Sequence, residues 1–243
     1  MKHPRRILLK VAGLAPATLA VAGGPLAALA ATAAEAKLKI GIIGSGRVGG
    51  TLGEVWAKAG HAVMFSSRDI DHDRSLAEKI GSDVRAGSPR EAAVFGDVLM
   101  ISVPYGALPG IGQDLADIIP GKVVIDTSNP IVGRDGEIAT WAREKGAGLA
   151  TAELLRGARI VRAFNAIGYA QMGKAREQPG RIGMPIAGED ERAIALVSRL
   201  VRDIGFEPVL IGGLAMGKYL MPGTPLAGER APDEIRKIAG TLN

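Results

Sequence analysis

The sequence has no cysteine. That absence excludes disulfides, thiol catalysis and cysteine-ligated metals. It leaves the compartment open, because an exported chain can fold without disulfides. Aromatic residues are scarce, at 4%, while Gly and Ala abound, which favours tight helix–sheet packing over an aromatic-rich binding face. An excess of positive charge is also missing from most of the chain. The formal charge of +5 rests on residues 1–30, which hold Lys2, Arg5, Arg6 and Lys10 and no acid. Setting those four aside from the 30 Lys and Arg leaves 26 against 25 Asp and Glu. A chain so near neutrality has no electrostatic footprint for nucleic acid. Its 243 residues suffice for one domain with a buried core.

Charge is absent again from Val11 to Ala34. Paired arginines precede this run in "PRRILLK", and "ALA", "ATA" and "AEA" between residues 28 and 36 each fit a small-residue cleavage site. This is the layout of a signal peptide, and the arginine pair resembles the twin-arginine signal of proteins that fold before export. Residues 1–36 are therefore expected to be a leader, with the export machinery as a partner and a periplasmic or extracellular destination. The competing reading is a retained membrane anchor, since the run is long enough to span the hydrocarbon core. Pro16, Pro25 and its Ala/Gly composition weaken that reading.

From residue 37 to 243 strand-like and helix-like runs alternate. "KLKIGIIG", "HAVMFSS", "DVRAG", "DVLMISVP", "KVVIDTSNP" and "ARIVRAFN" are short apolar runs that predict six strands. "RIGMPIAG", "DERAIALVSRLVRDIG" and "EPVLIG" predict a closing strand, helix and strand, and a short helix is expected from near Pro232. Val48, Leu52, Val55, Trp56 and Ala59 recur at helical spacing, and Ser88, Pro89 and Glu91 form a helix-start signature. A helix with an irregular start is expected within "GALPGIGQDLADIIPG" (106–121). The alternation predicts an α/β fold: one Rossmann-like, doubly wound domain with a mostly parallel sheet.

Gly44, Gly46 and Gly49 fit GxGxxG between the first strand and the first helix. In that context the first glycine permits a tight turn, the second lets a pyrophosphate approach the backbone, and the third allows close packing. Free N–H groups at the helix start face the phosphates. Arg47 is also placed against them.

The last informative absence follows the second strand. An NAD site puts an acid there for the ribose 2′-hydroxyl. This chain has Ser66, Ser67 and Arg68 first, then Asp69. A guanidinium takes a phosphate in two bonds, so the stretch favours NADP over NAD, unless Asp69 turns inward to the ribose. Ser102, Val103 and Pro104 end the fourth strand and are placed to line the nicotinamide ribose. Asp126, Thr127, Ser128 and Asn129 hold an equivalent place after the fifth. Asp126 and Asn129 equally suit a turn before Pro130. Asn165 ends the sixth strand, as a partner for a carboxamide or as a strand-end cap.

"IGIIGSGRVGGTL", "SSRD", "ISVPYGAL", "VVIDTSNP", "IVRAFNAI" and "DIGFEPV…GKYL" resemble the NADP-binding proteins related to deazaflavin-dependent NADP reductase. The reductase domain of the STEAP metalloreductases is of the same wider group. The resemblance covers nearly all of residues 38–220. It implies NADP in the glycine-rich cleft and hydride transfer between NADP(H) and a flavin- or deazaflavin-type partner. By the same resemblance, diphosphate contacts fall on Ser45, Gly46, Arg47 and Val48. Contacts to the 2′-phosphate fall on Ser67 and Arg68, with Ser66 adjacent. Those near the nicotinamide fall on Val103, Pro104, Ala163 and Asn165.

Such chemistry needs proximity and orientation more than acid or base groups. Accordingly the sequence offers no Ser-His-Asp spacing, no Tyr-Lys pattern and no metal-ligand motif, and neither a catalytic side chain nor a metal is assigned. His61 and His72 are expected at the surface, and Lys174 is expected as a solvated loop lysine rather than as a general acid for an imine or carbonyl reductase. Two other functions fit a cofactor cleft: an NADPH-dependent reductase of a small carbonyl or imine, and a non-catalytic NADP-binding sensor. The first usually carries a long helical C-terminal domain, for which the residues after the sixth strand leave little room. A homo-oligomer is compatible with every reading.

Overall fold

The computed structural model describes residues 37–81 and 83–242. The leader expected at residues 1–36 lies outside them. Eight strands share one sheet: β1 (Lys39–Ile43), β2 (Ala62–Ser66), β3 (Val84–Ala86), β4 (Val98–Ile101), β5 (Val123–Asp126), β6 (Arg159–Arg162), β7 (Gly183–Gly188) and β8 (Glu207–Leu210). Their order is β3-β2-β1-β4-β5-β6-β7-β8. The first six run parallel. β7 runs antiparallel to β6 and parallel to β8. The order reverses between β1 and β4, which is the switch point where α/β sheets bind ligands beyond the carboxyl ends of their strands.

Each parallel strand feeds a helix because its apolar run stops at Gly, Pro or a capping residue. Helix α1 (Arg47–Lys58) follows β1, and α2 (Ile70–Ile80) follows β2 with Asp69 as its N-cap. α3 (Pro89–Phe95) has the expected capping box: Ser88 accepts from Glu91 N, and Glu91 accepts from Ser88 N at 2.7 Å. The helix expected at 106–121 has the irregular start but is shorter. A 3-10 turn at Tyr105–Ala107 leads into α4 (Leu108–Asp114), and irregular turns follow. Gly110 and Gly112 inside it and Pro120 beyond it explain why the helical pattern stops early.

Helices α5 (Val132–Asp135), α6 (Glu137–Lys145) and α7 (Ala147–Leu154) lie between β5 and β6. α8 (Tyr169–Met172) follows β6, α9 (Glu191–Asp203) joins β7 to β8, and α10 (Pro232–Ala239) closes the chain.

The two faces of the sheet have separate cores. On one, Leu52, Trp56, Val197 and Leu200 pack against Ile40, Phe65 and Val161. On the other, Leu99, Ile101 and Val124 meet Leu108, Ala150 and Leu155. Burying each large side chain contributes about 1.5–3 kcal/mol. Gly53 lets α1 approach β2, since a Cβ there would lie 2.3 Å from the Phe65 ring.

The histidine expected at the surface between α1 and β2 is buried. His61 is 3% exposed. Its Nδ1 accepts from Leu38 N at 3.2 Å, so Nε2 carries the proton and donates to Asp203 at 3.0 Å. This anchor lies at the amino ends of β1 and β2, on the opposite edge from the glycine loop. Burial lowers the His61 pKa below 6.5, despite the opposing pull of Asp203. The folded state therefore binds this proton less readily than the unfolded chain, and its stability is complete above pH 6.5. As pH falls below 6.5 and through the lowered folded value, stability should drop. Thermal melts between pH 5 and 8 should show a fall on the acid side that His61→Gln flattens. An equally steep fall in His61→Gln would assign the loss to other groups.

Candidate dinucleotide site

Backbone hydrogen bonds lace the carboxyl ends of the parallel strands together. Gly44 N donates to Ser66 O at 2.8 Å, Ser102 N to Ile43 O at 2.8 Å, and Thr127 N to Ile101 O at 3.0 Å. Ala163 N donates to Asp126 O at 3.4 Å. The segments singled out in the sequence thus form one row along the carboxyl ends of the strands.

At the switch point the three glycines have different reasons to be glycine. Gly44 turns the chain at φ +102°, and a Cβ there would sit 2.1 Å from Ser102 O. A Cβ on Gly49 would sit 1.9 Å from Gly44 O, so this glycine lets α1 start hard against the turn. Gly46 has open space: no atom lies within 4 Å of where its Cβ would be. It is also the N-cap residue of α1 and has no side chain to cap with. The first N–H groups of α1 therefore face an uncrowded surface. Arg47 is exposed, its guanidinium 5.6 Å from the Tyr169 ring centre. Val48 is half-buried beside it.

The stretch after β2 sorts its residues clearly. Ser66 is fully buried and its hydroxyl donates to Ile42 O at 2.9 Å, leaving no hydrogen for a cofactor. The Ser67 hydroxyl lies 3.0 and 2.9 Å from the two Asp73 carboxylate oxygens and 3.1 Å from Asp69 O, so its one hydrogen has acceptors within the protein. Asp69 is committed as the α2 cap, accepting from His72 N at 3.0 Å. Arg68 is exposed, and among the described residues it has no ion-pair partner.

Beyond β4, Val103 is half-buried and Pro104 exposed. Beyond β6, Ala163 and Asn165 are buried. Between them Phe164 holds φ +66°, a conformation a bulky residue rarely adopts. Its ring is pinned edge-on between Trp56 at 5.9 Å and Phe206 at 6.0 Å. Asn165 Nδ2 reaches Ser128 O at 3.5 Å, but Asn165 Oδ1 and Ser128 Oγ are buried with no partner. Unpaired buried polar atoms are costly and need a reason.

Beneath this floor lies a buried network that sequence reasoning missed. Arg162 and Asp126 are both 0% exposed and pair at 2.5 Å. Arg162 also donates to Ser128 O at 3.1 Å, and to Asn129 Oδ1 and Leu220 O at 3.4 Å. Asp126 accepts from Thr151 Oγ1 at 2.9 Å and Ser128 N at 2.8 Å. Thr151 in turn meets the Tyr105 hydroxyl at 3.1 Å. Burial pushes the Tyr105 phenol up to about 12, which keeps its proton in place. Gly217 makes room for Arg162, for a Cβ there would lie 2.6 Å from its Cδ. Asp126, which the sequence left between function and turn, is thus the buried counter-ion of a strand arginine. The legible signal was Arg162 itself, a charge inside an apolar strand. Lys174 is exposed, and His72 contributes its backbone N–H to a helix cap.

Residues 39–130 match the family described as NADP oxidoreductase, coenzyme F420-dependent. The F420-dependent NADP reductase of Methanothermobacter thermautotrophicus is 29% identical over 205 residues, 78% of this chain and 87% of that protein. Metalloreductase STEAP3 of Rattus norvegicus is 28% identical over 183 residues, 74% of this chain but 35% of that protein. Among solved structures, a hypothetical protein of Sinorhizobium meliloti is similar with TM-score 0.64 and 27% identity, over 79% of this chain and 93% of that one. Fold, glycine loop and these likenesses agree: the chain carries a Rossmann-type domain and is similar, distantly, to the F420-dependent NADP reductases.

Proposed function

We propose that this protein binds NADP in the crevice at the β1/β4 switch point and transfers a hydride between it and a flavin- or deazaflavin-type partner. The observation that carries the cofactor choice is Arg68, an exposed arginine unpaired among the described residues, beside an aspartate already spent on a helix cap. A 2′-phosphate supplies the missing partner for the guanidinium. The open surface over Gly46 and the first N–H groups of α1 suit the diphosphate. Ser45 and Val48 flank that surface, and Arg47 adds a cation. The orphaned Asn165 Oδ1 suits an amide N–H donor such as the nicotinamide carboxamide.

Bound NADPH would supply the hydride from its nicotinamide ring. The chain's residues have the simpler tasks of holding the ring and excluding water. Val103 and Pro104 offer apolar surface, and Phe164 fixes the backbone on which Asn165 stands. No proton relay is needed for a hydride passing between rings in contact, which accords with a site built from backbone and apolar groups. The twin-arginine leader belongs to the same reading: folding before export would let the cofactor leave already bound, and the protein should be found in the periplasmic or secreted fraction.

The experiment is an absorbance assay of NADPH oxidation with deazaflavin, flavin mononucleotide, and simple ketones and imines. Oxidation with a deazaflavin or flavin is expected. Tight NADPH binding with no oxidation by any acceptor would support the sensor reading instead, and oxidation by ketones or imines alone would support the carbonyl or imine reductase.

A further inference from the structure

We propose that Asp73 is a positioning residue for cofactor choice, latching the turn that carries Arg68 to the glycine-rich loop. The inference rests on the NADP reading above and adds a residue to it. Asp73 lies in the first turn of α2 and is 0% exposed. Among the described residues it has no ion-pair partner. Burying a carboxylate without a cation is costly unless its oxygens are hydrogen-bonded. Here two hydroxyls do that. Ser45 Oγ donates to Asp73 Oδ1, and Ser67 Oγ lies 3.0 and 2.9 Å from Oδ1 and Oδ2. Residues of the α1 and α2 approaches, from two different strand ends, thus meet on one carboxylate.

The neighbours of these serines give the contact its meaning. Ser45 precedes Gly46, where the diphosphate would lie, and Ser67 precedes Arg68. On the other side of Arg68, Asp69 is fixed by its cap to His72 N at 3.0 Å, and Asp69 N donates back to Ser67 Oγ at 3.1 Å. Both flanks of Arg68 are pinned while its own side chain is exposed. The Ser67 hydroxyl hydrogen has acceptors on both sides of the turn, the Asp73 carboxylate and Asp69 O at 3.1 Å, so it helps the 2′-phosphate by holding the turn rather than by donating to the ligand. Pre-setting that backbone removes an ordering cost that binding would otherwise bear. NADH has no 2′-phosphate for Arg68 to meet, so the latch favours NADPH selectively.

The test is a fluorescence titration of the full chain with NADPH and NADH, for wild type, Asp73→Asn, Ser67→Ala and the double variant. The ratio of NADPH to NADH affinity should fall about five- to thirtyfold in Asp73→Asn. Ser67→Ala, which leaves the buried carboxylate in place, should lower the ratio in the same direction. The double variant should lose no more than the larger single loss, because both remove one latch. Should Asp73→Asn fail to fold, Ser67→Ala and Ser45→Ala decide: an unchanged ratio in both overturns the proposal. Losses from Asp73→Asn and Ser67→Ala that add in the double variant also overturn it, since Ser67 would then act on the ligand by itself. A wild-type ratio near one overturns the NADP reading and the latch with it. A high wild-type ratio that survives Asp73→Asn overturns the latch alone.

Discussion

Arg68→Ala should weaken NADPH binding about 10- to 100-fold while leaving NADH binding within about twofold. The size follows from losing one charge-assisted contact to a phosphate, which is stronger than a neutral hydrogen bond. The selectivity follows from geometry. Arg68 is exposed at the end of β2, Ser66 is buried against Ile42 O, and Asp69 caps α2. Arg68 is therefore the side chain of this stretch left to meet a ligand, and NADH gives it nothing to meet. The contact is solvent-exposed, so raising the salt concentration should narrow the wild-type preference. Equal losses for both cofactors would place Arg68 on the shared diphosphate or in the fold instead.

Arg162→Ala should destabilise the protein by about 3–5 kcal/mol, because it strands the buried Asp126 carboxylate. For a domain of this size that corresponds to a fall in melting temperature of roughly 6–20 °C. The pair is 0% exposed at both ends, and Arg162 also ties down Ser128, Asn129 and Leu220. The same loss should loosen the floor on which Asn165 stands, since Asn129 Nδ2 holds Asn165 O at 2.8 Å. Replacing both partners with apolar residues, Arg162→Met with Asp126→Leu, should recover much of the melting temperature without restoring the floor. Thermal melts of Arg162→Ala and of the double variant check this. A single variant as stable as wild type would mean that the crevice floor does not depend on the pair.

The difference between these two arginines shows what can be read from a sequence alone. Arg68 was legible because it follows a strand at a fixed distance from a glycine loop, and local spacing alone places it. The capping box at Ser88 and Glu91 and the succession of strands through β6 were legible for the same reason: each rests on contacts between near neighbours or on the alternation of apolar runs. The Arg162–Asp126 pair joins residues 36 apart, and Asp73 meets Ser45 across 28. Such partners become neighbours only when parallel strands align in register, and no periodicity announces that. In sequence, Asp73 resembled one more acid at a helix start. His61 was misplaced for a related reason. Its partner Asp203 lies 142 residues away at the end of α9, so a buried, satisfied histidine looked like a turn residue. The antiparallel entry of β7 was likewise hidden, because an apolar run does not encode its direction.

The central claim is that the crevice selects NADP through a phosphate-binding arginine standing where an acid would select NAD. The most direct measurement is the pair of dissociation constants for NADPH and NADH on the full wild-type chain at one ionic strength. NADPH should bind about tenfold or more tightly than NADH. Equal binding, or tighter binding of NADH, would contradict the assignment.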